Sequence, residues 1–548
     1  MNNQIFWIVL KRLRAPFIVI IITFSISILG LILIGGIDDQ GRPYQMSFFD
    51  AFYFVSYMAT TIGFGEAPYT FTYPQRMWVS GIIYMTVIGW FYAIGSIVTL
   101  IQDESLRKEI SRNRFRKQVL SLGESFYIML GYNGVIKDII NRVGIHDYRF
   151  VVLDKNESKI DELTLENFYP HVPAIVADVT NQRMLKMAGI HQKNCVGVIS
   201  LFKDDTKNTQ IATICKLLNK KIDIIVKGSS PRHLEHFKSM GLKHVQDPFD
   251  IVSKRIYYSI TAPHIWLLEM WAYGHSLNLR NRDQFPHGRY IVCGYGRMGK
   301  AIEQGLKKAG VEYIMYDIEA KTYEKQNNTT IFGDIKDKEK LLELGVKSSD
   351  CIIAATKDDL LNLTLLNKAK KLNPKIFTVA RENSLEELTM FQAAKINKIY
   401  VLEKILAEST YNYISKPLLD TFILQMRKKD EEWAKVIVNM LSEVIGMSPD
   451  YFEIKINLEN AYALSLALQE GKEITLAQLR RSRENREELL PIVFLLLKRD
   501  DEIFIIPDSQ IFLKLDDQLL IAANDEYKND FEYIVNNLYE LKYVLGNE

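Results

Sequence analysis

Tyr290-Ile-Val-Cys-Gly294-Tyr-Gly296-Arg-Met-Gly299 reads as a short apolar strand running into a glycine turn and then a helix. Earlier in the chain, Tyr127-Ile-Met-Leu-Gly131-Tyr-Asn133-Gly-Val-Ile136 has the same form. Outward from these two stretches the matches continue in order. Val151-Val-Leu-Asp154 parallels Ile314-Met-Tyr-Asp317, and Ala177-Asp178 parallels Gly333-Asp334. Ala188-Gly189-Ile190 then parallels Leu344-Gly345-Val346, and Asp204-Asp205 with Asn208 parallels Asp358-Asp359 with Asn362. Apolar strands alternating with helical patterns imply parallel βαβ units, so the duplication predicts two tandem Rossmann-like domains.

The two fingerprints are unequal. In a dinucleotide fold the first glycine makes the turn, the second lets the backbone approach a pyrophosphate, and the third allows close helix–strand packing. Gly294, Gly296 and Gly299 satisfy all three, with Arg297 and Met298 inside the motif. Asp317 falls about 20 residues further on, where an acid bonds a ribose 2′-hydroxyl and disfavours a 2′-phosphate. Thr356 ends the strand Cys351-Ile-Ile-Ala-Ala-Thr356, in position to face the phosphates. The first repeat has Asn133 and Ile136 in place of the second and third glycines. Asn tolerates left-handed backbone, so the turn can survive, while its side chain intrudes where a pyrophosphate would lie. The expectation is a nucleotide site in the second repeat and a structural or differently specific site in the first.

The 548 residues are enough for several domains. Lys plus Arg number 68 against 66 Asp plus Glu, so the overall charge points to no nucleic-acid partner. Cys195, Cys215, Cys293 and Cys351 have neither paired nor zinc-type spacing, which suits a reducing compartment. Ala15 to Ile37 and Trp78 to Ile101 carry no charge. They predict helices over about 15–37 and 77–101, each able to cross a ~30 Å hydrocarbon core. The first run is longer than the ~7–15 residues of a signal peptide and lacks a small-residue cleavage site, so it is read as retained. Lys11, Arg12 and Arg14 precede it, and Arg107, Lys108, Arg112, Arg114, Arg116 and Lys117 follow the second. Basic flanks stay inside, which puts both termini in the cytoplasm of a cell (inner) membrane protein. Between the spans, an aromatic run from Ser47 to Met58 leads into Ala59-Thr60-Thr61-Ile62-Gly63-Phe64-Gly65-Glu66. Two spans cannot enclose a pore, but four copies around an axis can, and irregular backbone at membrane depth is tolerated where it is buried or lines a cavity.

Thr61-Ile62-Gly63-Phe64-Gly65 resembles the Thr-Val-Gly-Tyr-Gly signature of potassium channels, whose carbonyls replace the ion's water. Ile62 replaces valine, Phe64 loses the tyrosine hydroxyl, and Glu66 stands where aspartate is commoner. With the repeat, the chain resembles prokaryotic two-span potassium channels gated by RCK (regulator of potassium conductance) domains. That resemblance implies a two-span helical pore module plus α/β: two tandem Rossmann-like RCK domains and a small α+β C-terminal lobe. The corresponding boundaries are 1–101 for the pore module (pore helix and filter 47–66) and 102–122 for a stiff connector helix continuing from the second span. The first RCK domain with its helical crossover covers 123–285, the second 286–450, and the lobe 451–548.

The same resemblance implies a homotetramer in lipid with an eight-lobed cytoplasmic ring, K⁺ as permeant ion, and adenine nucleotide or NAD(H) as regulatory ligand. It makes Gly89 the gating hinge, brings Asp334 to the adenosine end and Arg381 to phosphate, and makes Lys227 the first-repeat counterpart of Arg381. Calcium, a ligand of some relatives, is a second candidate at Asp204-Asp205 or Asp358-Asp359, without an assigned ligand set, because calcium needs six to eight converging oxygens. No general acid, base or metal constellation stands beside either fingerprint, so an enzyme is not expected. A non-selective cation channel and a non-conducting, membrane-anchored nucleotide sensor remain as alternatives.

Overall fold

The computed structural model describes residues 3–143, 148–274, 276, 278–280, 285–317, 330–332, 338–383 and 388–546. The chain divides into two compact units, Met1–Leu122 and Gly123–Glu548.

In the first unit, α1 (Asn3–Leu33) and α3 (Tyr73–Gln102) are long and apolar enough to cross a membrane. Thr23, Ser27 and Gly30 form one small-residue face of α1. The Trp78 indole lies against Gly30, where a Cβ would meet it at 2.1 Å, and its Nε1 donates to the Ser27 carbonyl. Small residues at such a seam let helix backbones approach closely. Phe17, Ile21, Ile22, Tyr84, Ile88 and Phe91 are exposed, as lipid-facing side chains are. The first helix ends at Leu33 rather than near position 37, because Gly36–Ile37 (β1) pairs with Pro43–Tyr44 (β2) in a short antiparallel ladder. Between the spans lies α2 (Phe48–Ala59), opened by a Ser47–Asp50 capping box.

The connector differs from its expectation. It forms α4 (Glu104–Leu120), but it does not continue α3. Asp103 takes extended backbone, its carboxylate caps α4 through the Leu106 N–H, and it pairs with Arg12 of α1. A side-chain acceptor at an N-cap competes with helix continuation.

The second unit contains two six-stranded parallel sheets of identical topology. The first comprises β3 (Phe126–Leu130), β4 (Arg149–Asp154), β5 (Ala174–Val176), β6 (Cys195–Ser200), β7 (Asp223–Lys227) and β8 (His244–Gln246), ordered β5-β4-β3-β6-β7-β8. The second comprises β9 (Tyr290–Cys293), β10 (Tyr313–Asp317), β11 (Thr330–Phe332), β12 (Cys351–Ala354), β13 (Phe377–Glu382) and β14 (Lys398–Val401), ordered β11-β10-β9-β12-β13-β14. Their central strands are buried on both faces and read as unbroken apolar runs.

The two Rossmann units exchange helices. The Pro248–Thr261 helix, after the first sheet, buries Val252, Ile256 and Ile260 with Met298, Ile302 and Leu306 of the Arg297–Ala309 helix. Conversely, the Leu402–Ser415 helix buries Leu406 and Ile414 with Val135, Ile136 and Ile139 of the Gly134–Arg142 helix. A Cβ at Gly305 would meet the Ser253 carbonyl at 2.7 Å, so that crossing is tight. This exchange brings the glycine-turn ends of the two sheets together. The C-terminal lobe is a four-stranded antiparallel sheet of β15 (Asp450–Lys455), β16 (Val493–Arg499), β17 (Glu502–Ile505) and β18 (Gln518–Ala523), ordered β15-β18-β16-β17.

Candidate functional sites

At the end of α2, backbone φ is +65° at Thr61, +66° at Gly63 and +105° at Gly65, while Ile62 and Phe64 between them stay out of the left-handed region. Alternating hand along a strand turns successive carbonyls toward one side. Neither Gly63 nor Gly65 has an atom within 4 Å of a Cβ position, so backbone conformation, not space, requires glycine there. Thr61 holds a left-handed conformation that a β-branched residue resists, and such outliers collect at functional sites.

The sequence reading missed what holds this loop. The Tyr57 hydroxyl on α2 donates to the Gly65 carbonyl at 2.6 Å, and the Tyr57 ring meets the Phe64 ring edge-on. An anchor that Phe64 cannot supply thus comes from the helix behind it. Glu66 accepts two bonds from Arg76 and one from the Phe71 N–H. Tyr57→Phe keeps the ring and deletes one bond, about 0.5–1.5 kcal/mol per copy. If this loop is the ion filter whose signature Thr61–Gly65 resembles, K⁺/Na⁺ discrimination is expected to fall a few-fold, read as a shifted reversal potential in mixed ions. An unchanged potential would leave the loop to the Glu66–Arg76 clamp.

Gly89 lies in α3, which runs uninterrupted through it. A Cβ there would meet Thr23 Oγ1 at 3.3 Å and Val19 Cγ1 at 3.5 Å, so in this conformation Gly89 is a packing position against α1.

In the second sheet, Gly294 has φ +106° and packs where a Cβ would lie 3.0 Å from the backbone of Ala355 and Thr356. A Cβ at Gly299 would lie 1.9 Å from the Gly294 carbonyl oxygen, while one at Gly296 would meet nothing within 4 Å. The three glycines therefore divide the work as the fingerprint requires: turn, open approach, close packing. Asp317 accepts the Tyr295 N–H at 2.5 Å, so part of this carboxylate braces the turn itself. Thr356 gives its hydroxyl and N–H to Asn362 Oδ1. Met298, expected among the ligand-binding residues, is instead fully buried in the core between sheet and crossover helix, so its side chain is withdrawn from the turn. Asp334 lies outside the described residues. Arg297, the residue after Gly296, and Arg381 both line a cavity between the two Rossmann units.

The first repeat's turn is filled by its own side chains. The Phe202 ring lies where a Cβ at Gly131 would meet it at 2.6 Å. Asn133 does not use the left-handed backbone that Asn tolerates. Its φ is −159°, and its Oδ1 accepts the Ile136 N–H, capping the helix with the contact an anion would otherwise make. Asp154 repeats the Asp317 arrangement, accepting the Tyr132 N–H at 2.8 Å.

The acidic pairs serve the chain's own donors. Asp204 and Asp358 cap their helices. Asp205 accepts from the N–H groups of Ser229 and Ser230, and Asp359 from the N–H of Asn383. Among the described residues no group of three or more His, Cys, Asp or Glu is placed to hold a metal. The cysteines are all buried, and burial pushes the Cys195, Cys215 and Cys293 thiols up to about 12, which leaves them protonated and unreactive.

The family model for the TrkA-N domain matches residues 127–248 and 290–402, one match per six-stranded sheet. Each Rossmann unit is thus similar to the TrkA-N domain. Potassium channel protein 1 of Methanocaldococcus jannaschii is 27% identical over 240 residues, 44% of this chain and 67% of that one. Probable potassium channel protein 2 of the same organism is 26% identical over 179 residues, 30% of this chain and 52% of that one. Among solved structures, the GsuK channel aligns over 97% of this chain and 99% of its own, with TM-score 0.52 and 16% identity. The GsuK channel bound to NAD aligns over 97% and 100%, with TM-score 0.50 and 16% identity. At that identity the likeness is one of fold, and it extends from the membrane helices through both TrkA-N units. The resemblance to two-span potassium channels with RCK domains, drawn from the motifs, holds.

Proposed function

We propose that four copies of this chain form a potassium-selective channel in the cell membrane, termini inside, whose conduction is set by an adenine nucleotide or NAD-type ligand at the second TrkA-N unit. The observation that carries the reading is the alternation of backbone hand at Thr61, Gly63 and Gly65, next to two membrane-length helices. The nucleotide assignment is supported by the contrast between the turns, open at Gly296 and plugged by Phe202 and Asn133 in the first unit. It is further supported by NAD in the GsuK channel. The chain's own residues would supply open backbone at Gly296 for a pyrophosphate and the Asp317 carboxylate for a ribose hydroxyl.

A ligand changes gating only through different affinities for open and closed states. Four sites, each favouring one state tenfold, contribute roughly 5.5 kcal/mol together, enough to move a population from about 1 in 100 to about 99 in 100. Movement of the ring would reach the pore through α4 and the break at Asp103, with α3 bending at Gly89 away from Thr23.

The test is potassium flux through reconstituted protein with and without NAD⁺, NADH, ADP or ATP. One of them is expected to change flux several-fold, and Asp317→Asn, which keeps an acceptor for the Tyr295 N–H, is expected to remove that response. Flux indifferent to all four would end the nucleotide assignment and leave the pore. A reversal potential near zero in opposed K⁺ and Na⁺ would instead make the pore non-selective.

A further inference from the structure

Helix α1 has two faces, and the division continues below its apolar run. Val19, Thr23, Ser27 and Gly30 recur at helical spacing and meet Gly89 and Trp78 of α3. Ile18, Ile21, Ile22 and Leu29 recur on the opposite side and are exposed. The basic residues at the N-terminal end of the helix divide in the same way. Arg12, one heptad before Val19, continues the seam and pairs with Asp103 at the break between α3 and α4. Arg14 and Lys11, one and two turns before Ile18, continue the outward face and are exposed.

The acids at this end of the membrane unit are taken. Asp103 accepts from Arg12 and from the Leu106 N–H, Glu104 pairs with Lys108 at 2.6 Å, and Glu109 pairs with Arg112 at 2.6 Å. The side chains of Lys11 and Arg14 make no hydrogen bond or ion pair with any described residue. At 1.5 Å per residue, Arg14 lies about 28 Å along the helix from Leu33, close to the ~30 Å thickness of the hydrocarbon core. The two cations therefore stand at the level of the lipid phosphates, one turn apart on one face. Basic flanks that merely orient a span need only their charge. Here one cation is spent on the protein, and two remain on the side that faces lipid, directly below an apolar stripe.

We propose that the outward face of α1 holds an anionic phospholipid, its phosphodiester between Lys11 and Arg14 and its acyl chains along Ile18, Ile21 and Ile22. Basic clusters beside a membrane helix attract anionic lipid, and each Lys or Arg near the surface adds to the attraction. A zwitterionic headgroup brings its own cation to the same place and gains less. The inference rests on α1 crossing the membrane and not on ion conduction.

The test places a tryptophan reporter on that face, Ile18→Trp, in the full-length protein reconstituted into vesicles of phosphatidylglycerol and phosphatidylcholine. One lipid at a time is brominated, and quenching gives their relative binding once the emission of the chain without a reporter is subtracted. Leu29→Trp, on the same face but far from the cations, is the reference. At the Ile18 reporter phosphatidylglycerol is expected to bind about threefold or more tighter than phosphatidylcholine, and at the Leu29 reporter about equally. Adding Lys11→Gln and Arg14→Gln is expected to bring the first ratio to about one, whereas Lys11→Arg with Arg14→Lys keeps it. Both side chains are exposed and unpaired, so the unfolding midpoint should not move. A ratio of one at the Ile18 reporter, the same ratio at both reporters, or a ratio that survives Lys11→Gln and Arg14→Gln would overturn the site. Quenching at neither reporter would take α1 out of the membrane, and the site with it.

Discussion

Gly63→Ala is expected to silence potassium flux without unfolding the protein. The position has φ +66°, and no atom lies within 4 Å of the place a Cβ would take, so the methyl group meets no steric obstacle. What it meets is backbone preference, roughly 1–2 kcal/mol per residue against left-handed conformation. Summed over the four copies of the proposed channel, that is roughly 4–8 kcal/mol favouring a loop with its carbonyl turned away. The side-chain anchors from Tyr57 and Arg76 bond Gly65 and Glu66 rather than Gly63, so the substitution removes neither. Radioactive rubidium uptake into liposomes, alongside the unfolding midpoint, checks both halves. Full flux in the variant would remove the filter assignment, whereas lost flux with a collapsed midpoint would mean that the loop supports the fold.

The second large effect separates two glycines of one fingerprint. Gly299→Ala drives a methyl group to 1.9 Å from the Gly294 carbonyl oxygen, which is backbone and cannot swing aside. The Arg297–Ala309 helix must move off β9, and it carries Met298, Ile302 and Leu306 in the shared core with the crossover helix. Overpacking of this kind costs about 1–3 kcal/mol, with more where backbone must shift. The midpoint is therefore expected to fall by several degrees. Gly296→Ala adds its methyl group in open space at an ordinary φ, −72°, so stability should hold. If the pyrophosphate approaches there, nucleotide affinity should drop tenfold or more, measured by calorimetry with NAD⁺ and ADP. Equal midpoints for the two variants would contradict the packing geometry, and full affinity in Gly296→Ala would move the ligand elsewhere.

Much of the site was legible because its signals are local. Glycine spacing, an acid after the second strand and long uncharged runs depend on neighbours in the chain, so they survive being read as text. The two Asp residues at Asp154 and Asp317 already announced matching turns, and the structure gives both the same bond to the turn backbone. Where the structure departs from the reading, the cause is a contact remote in sequence or a single capping side chain. Met298 reads as part of a ligand motif until the Pro248–Thr261 helix covers it. The break at Asp103 was hidden because the polar connector has good helix composition, and its signal was one capping side chain.

By itself, then, the sequence determined two membrane-length helices around a glycine-bearing loop, a duplicated βαβ unit, and the unequal completeness of its fingerprints. All of these follow from hydrophobic period and backbone permissiveness. Only the tertiary structure decided that Tyr57 takes over the anchor Phe64 lacks, that Phe202 fills one turn while the other stays open, and that Arg297 and Arg381 line one cavity. Those outcomes depend on which side chains meet across elements, and exchange of helices between two sheets sets such meetings through packing that no local pattern encodes.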